Sequence, residues 1–199
     1  MLFEDEHVGI FNVLMLIPKQ KKIRQLPAII GLHGHHNSSW IFRDNYMGID
    51  LVREGFIVIM PCFRAMSRKD TDVSKKLYLN GFTLMGIRVY ETLLLIKYLN
   101  YIGEVDNEKI GIISHSGGGA VANLVVRLTD AINAQVTDTS SDYLDDHFHC
   151  ETIPNLSYYH KTINDIDSLN IPVLQVSYGY PGDKIRQEII EFFITNLEK

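Results

Sequence analysis

A serine held between small residues where a strand runs into a helix has its hydroxyl lifted clear of its neighbours, and Ser114-His115-Ser116-Gly117-Gly118 has that composition. Ile110 to Ile113 before it is strand-like, and the stretch from about Gly117 to Leu128 is helix-like. Small-x-Ser-x-Gly in this setting predicts a nucleophilic serine, Ser116. Ser114 stands where glycine is commoner, a small-for-small exchange. The first N–H groups of the following helix, with its positive dipole end, suit a developing oxyanion. A turn that merely packs a helix onto a strand is the plain alternative. Strand, turn and helix in register favour the nucleophile.

His33-Gly34-His35-His36 directly follows the apolar run Pro27 to Leu32. Read as ligands, His-x-His-His together with Asp145, Asp146, His147 and His149 would match part of a metallohydrolase set. The placement straight after a strand already accounts for the loop without a metal. Cys62 and Cys150 are the only cysteines, too few for a disulfide framework or a zinc site, and read as buried free thiols.

The elements that must position these residues alternate along the chain. Val8 to Ile17, Pro27 to Leu32, Phe56 to Met60, Ile110 to Ile113, Ile132 to Val136 and Pro172 to Ser177 read as strands. The uninterrupted apolar runs among them belong to a parallel sheet covered on both faces. Tyr46 to Glu54, Phe82 to Tyr101 and Ile185 to Leu197 have helical spacing. Cys62 to Asn80 is polar and reads as a long loop, Asn107-Glu108-Lys109 as a turn, and Thr137 to Asn170 as irregular. The pattern predicts an α/β fold, a doubly wound and mainly parallel sheet with helices on both faces. Its 199 residues make one domain.

Hydrophobic residues make up 46% of the chain and charged residues 22%, enough for a substantial core. The net charge of −5 is dispersed, without the clustered Lys and Arg that nucleic acid requires. Met1-Leu2-Phe3-Glu4-Asp5-Glu6 is acidic where a signal peptide would be basic, and no apolar run approaches the roughly 18 residues of a membrane span. A cytoplasmic protein binding neither nucleic acid nor membrane is the expectation.

Four blocks carry a family resemblance: the strand with HGHHNSSW at 27–40, GFIVIMPCFR at 55–64, GFTLMGIRVYETLLLIKYL at 81–99, and VDNEKIGIISHSGGGAVANL at 105–124. Together they resemble the dienelactone-hydrolase and acetyl-esterase branch of the α/β-hydrolase superfamily. The last block, with its VD-x-x-K-I-G turn before the serine, is the most specific. The resemblance implies Ser116 as nucleophile, and the backbone N–H groups of His35 and Gly117 as the oxyanion hole. It implies small ester substrates, an acyl-enzyme, and neither a metal nor an organic cofactor.

The chain departs from that pattern at its C-terminal end. The family places an acid after the strand matching Pro172–Ser177, then a helix, a strand and the catalytic histidine. Here only 22 residues follow Ser177, and the last histidine is His160. The last strand of the fold is therefore expected to be missing. Asp183 is the best-placed acid, although an aspartate there equally suits the start of the last helix. The base must come from elsewhere: His147, His149 and His160 lie after the Ile132–Val136 strand, and His149 is the first choice. Asp138, Asp142, Asp145 or Asp146 could orient it, since a triad is defined by geometry rather than chain order. No positional argument attaches to His115 or His36. Trp40 reads as ordinary packing and Arg64 as a salt-bridge partner within the long polar loop.

Two functions follow. One is a serine esterase acting on small esters; the other is a non-catalytic protein of the same fold that keeps the elbow and acts by binding. Retention of the elbow with both oxyanion positions favours the esterase. A sheet edge left open by the missing strand makes a homodimer the expected assembly.

Overall fold

The computed structural model describes residues 1–19, 25–64, 70–138, 166–177 and 179–197. Strands β1 (Leu2–Asp5), β2 (Gly9–Leu16), β3 (Leu26–Leu32), β4 (Ile57–Cys62), β5 (Val105–Ser114), β6 (Ala134–Thr137) and β7 (Val173–Gln175) form one sheet in the order β1-β2-β4-β3-β5-β6-β7. β1 and β2 pair antiparallel, as do β2 and β4; every other pairing is parallel. β3 is buried at all seven positions, as a central parallel strand covered on both faces must be.

Alternate strand residues feed two cores. On one face Ala28, Ile30, Ile57, Ile59, Ile110 and Ile112 meet helices α4 (Leu84–Leu99) and α5 (Gly117–Val125). On the other, Ile29, Val58, Met60, Ile113 and Val136 meet the short helices α1 (Ser39–Ile41) and α2 (Gly48–Arg53) and the last helix, α6 (Asp183–Leu197). Thr83 starts α4 by accepting the N–H of Gly86 at 2.9 Å. Ile189, Phe193 and Leu197 form the buried stripe of α6, spaced by four as one helix face requires.

Three expectations about elements are corrected. Asp70–Leu79 is a helix, α3, within what reads as a long loop, because helix-forming lysines and leucine outweigh its polarity. The acidic N-terminus forms β1, with Phe3 stacked on Phe11 at 5.1 Å. β5 begins at Val105 rather than Ile110: Leu26 pairs with Val105 and Ala28 with Ile110, so residues 106–109 form an irregularity inside the strand. Between α1 and α2 the chain makes a single π-helical turn, Phe42–Tyr46, which carries Tyr46 into the interior at 1% exposure.

Candidate active site

Ser116 lies between β5 and α5 with φ 52° and ψ −124°, a conformation that side chains other than glycine adopt only under constraint. The constraint comes from both neighbours. His115 donates its backbone N–H to Leu32 at the end of β3, and its carbonyl accepts from Gly118. α5 then approaches β3 so closely that a Cβ on Gly118 would sit 2.3 Å from the Leu32 carbonyl oxygen. Only glycine fits there, so Gly118 is a packing necessity within the helix start.

The His33–His36 loop lies directly on this turn. A Cβ on Gly34 would stand 2.8 Å from Cβ of Ser116 and 3.0 Å from Cδ2 of His115. Gly34 and Asn37 close a turn at 3.2 Å, with His36 at φ 58° and the half-buried His35 stacked on His36 at 4.0 Å. His35 is thus carried on the loop that lies against Ser116. Gly117, as the first residue of α5, heads the helix, where N–H groups lack an intrahelical acceptor. Both proposed oxyanion donors therefore lie on segments flanking Ser116.

His33 anchors that loop. Its Nδ1–H donates to the Gly34 carbonyl at 3.1 Å, and Nε2 accepts the Phe63 N–H at 3.2 Å. Burial lowers its pKa to about 4, against the partly opposing Gly34 hydrogen bond, so it works as a neutral strut. Among the described residues no three His, Cys, Asp or Glu side chains gather as a metal site would require; Asp145, Asp146, His147 and His149 lie outside the described residues.

The acid that the fold brings to the turn is Asp138, the residue after β6. Its carboxylate is fully buried. Oδ1 accepts the Ser116 N–H at 2.9 Å. Oδ2 accepts from His115 Nδ1 at 2.5 Å, from the Tyr46 hydroxyl at 3.1 Å and from the Gly179 N–H at 3.3 Å. Burial, followed by the Asp138 charge, raises the Tyr46 pKa far above its usual value, so the phenol stays a donor. The Tyr180 ring stacks on His115 at 5.7 Å and its hydroxyl donates to Asn37 at 3.1 Å. The β7–α6 connection is thereby tied to both the elbow and the oxyanion loop.

Sequence reasoning singled out neither His115 nor this role for Asp138. The available signal was that Asp138 ends a strand neighbouring the serine's own. The pairing of Ser114 with Thr137 makes the next residues, His115 and Asp138, neighbours. Asp183 is the exposed first residue of α6, three positions beyond Tyr180, where a helix N-terminus favours a carboxylate. His147, His149 and His160 lie outside the described residues, as does Cys150. Arg64 forms a salt bridge, but with the buried Glu91 on α4 rather than within the polar segment that follows it, where the expectation placed its partner. Trp40 is 54% exposed under the Arg43 guanidinium, 4.6 Å from its ring centroid, rather than packed in the core. Cys62 is half-buried, with Sγ 2.8 Å from the Ser39 hydroxyl.

A mainly parallel sheet in this order, with a positive-φ serine between a strand and a glycine-headed helix, defines an α/β-hydrolase. The chain belongs to the dienelactone hydrolase family, which matches residues 11–174. Among solved structures, the dienelactone hydrolase of Anabaena variabilis is 14% identical with a TM-score of 0.61, covering 99% of this chain and 98% of that one. A Bacteroides fragilis protein assigned as an acetyl xylan esterase is 17% identical with a TM-score of 0.62, over 74% of this chain. The match spans 45% of that protein's length. Porphyromonas gingivalis dipeptidyl peptidase 4 is 13% identical with a TM-score of 0.66, over 99% of this chain and 35% of that one. No curated protein sequence matches the chain.

Proposed function

We propose that this protein is a serine carboxylic-ester hydrolase acting on small esters through an acyl-enzyme on Ser116. The observation that carries the reading is the strained φ of 52° at Ser116, held against the Gly34–His35 loop. Strain of this kind is stored where a side chain must be presented. In the reaction the base takes the Ser116 proton as Oγ bonds to the ester carbonyl carbon. The carbonyl oxygen gains negative charge, which the N–H groups of Gly117 and His35 stabilise. The tetrahedral species collapses, the alkoxide leaves with the proton held by the base, and water then releases the acid by the same steps.

His149 is the proposed base and Asp183 the acid that orients it. The position of Asp183 just beyond Tyr180, which packs on His115, supports its proximity to the elbow. Asp138 is less suited to that task, because its two oxygens already accept four hydrogen bonds, about the capacity of a carboxylate.

The test is labelling with a fluorophosphonate probe. Wild type should label and Ser116→Ala should not; His149→Ala should then slow labelling by roughly 100-fold or more. Loss with His147→Ala or His160→Ala instead would reassign the base. A folded wild type that does not label would refute the esterase and favour a binding protein of this fold.

A further inference from the structure

Resting on the reading of Ser116 as nucleophile, the buried carboxylate of Asp138 joins three separate parts of the fold at one point, through four hydrogen bonds. It accepts from the Ser116 backbone on the elbow, from the His115 ring, from Tyr46 on the π-helical turn, and from Gly179 beyond β7. Two donors are backbone and two are side chains; His115 and Ser116 share the turn before α5, while Tyr46 and Gly179 come from segments elsewhere in the chain. Tyr46 also points at the Ser114 carbonyl at 3.5 Å, one residue before the elbow turns. Its ring lies 5.0 Å from that of His115, and Tyr180 packs against both, at 6.4 and 5.7 Å.

Such an arrangement has a mechanical consequence. At φ 52° the Ser116 N–H is rotated away from the direction it would take in a strand or helix. A buried N–H turned that way needs an acceptor, and a carboxylate supplies the strongest one available to it. Relaxation of Ser116 to negative φ would break that bond inside a dry site and leave both partners unsatisfied. His115 is bonded to Asp138, stacked on Tyr180 and in contact with the tilted ring of Tyr46.

We propose that Asp138 is a positioning residue of the reaction: it locks the Ser116 peptide in its positive-φ form. The nucleophile and the Gly117 N–H then face the substrate together, with His115 and Tyr46 as the supports that hold the carboxylate in place. It acts through Ser116 and touches no reacting atom.

The experiment uses the full chain with Asp138→Asn, which keeps the shape and one acceptor oxygen but removes the charge. Turnover of p-nitrophenyl acetate, the rate of fluorophosphonate labelling and hydrogen exchange at the Ser116 amide are measured beside the melting temperature. A lost charged hydrogen bond predicts that kcat and labelling fall by about 10- to 100-fold, with KM nearly unchanged. Exchange at the Ser116 amide should quicken in parallel. Tyr46→Phe, which removes one of the four donors, should give a smaller loss in the same direction, and carries the comparison if Asp138→Asn does not fold. A folded variant with kcat, labelling and amide exchange as in wild type would overturn the proposal. A wild type that does not label, with faster Ser116 exchange in Asp138→Asn, would refute the nucleophile reading while supporting the carboxylate's hold on the turn.

Discussion

The φ of 52° at Ser116 costs of order 1–3 kcal/mol for any residue with a Cβ, and glycine escapes most of it. Ser116→Gly should therefore be more stable than Ser116→Ala by about 1 kcal/mol, read from urea unfolding. Equal stability would show that the elbow is relaxed. His33 makes a prediction about pH. Its folded pKa, about 4, lies below its ordinary 6.5, so the unfolded chain binds the extra proton first. Stability from this residue is fully present above about pH 6.5 and is lost as pH falls toward 4, with about 3 kcal/mol at stake. His33→Gln, which can donate and accept in the same places without titrating, should flatten that part of the stability profile. An unchanged slope between pH 4 and 6.5 would remove His33 as its source.

At the scale of elements, the close approach of α5 to β3 governs the elbow. Gly118→Ala would drive a methyl group to 2.3 Å from the Leu32 carbonyl oxygen, where both partners are backbone and neither can rotate away. A loss of at least about 2 kcal/mol is expected from such overpacking, with slower fluorophosphonate labelling because the helix must shift. Wild-type stability in this variant would mean that α5 packs less tightly on β3. The strand-turn-helix sequence around Ser116 was legible because each part has its own local pattern: apolar run, small residues, then helical spacing. α3 was not, since Asp70–Leu79 has little apolar periodicity and its polar side chains resemble those of a loop. β1 was missed because four residues carry too short an alternation to stand out, and only pairing with β2 makes them a strand.

Across the whole molecule, two cores on opposite faces of one sheet support the strand ends from which the Ser116 turn and Asp138 project. Phe193 joins the last helix to the sheet: it is fully buried, and its ring fills the space that the absent side chain of Gly111 leaves on β5. Phe193→Ala should cost about 3–5 kcal/mol in denaturant unfolding, and under 1 kcal/mol would show that α6 is dispensable. No single described helix is long and apolar enough to cross a membrane. β7 is the outer strand among the described residues, three residues long and incompletely buried, so pairing along this strand is the expected route to a homodimer. Sedimentation equilibrium at micromolar concentration should give twice the chain mass; a monomer would show that this edge is covered.

Hydrophobic period, small-residue runs and turn residues are properties of neighbours in the chain. Sequence by itself therefore determined the α/β alternation, the strand-to-helix turn at Ser116 and the flanking His35 loop. Which side chains meet across strands depends on register, and register is set by packing and by irregularities such as the one at residues 106–109. The tertiary structure alone decided that Ser114 lies opposite Thr137, and hence that His115 and Asp138 share a hydrogen bond. It alone brought Tyr46 to that bond from 92 residues away in the chain, through a π-helical turn that no local pattern announces.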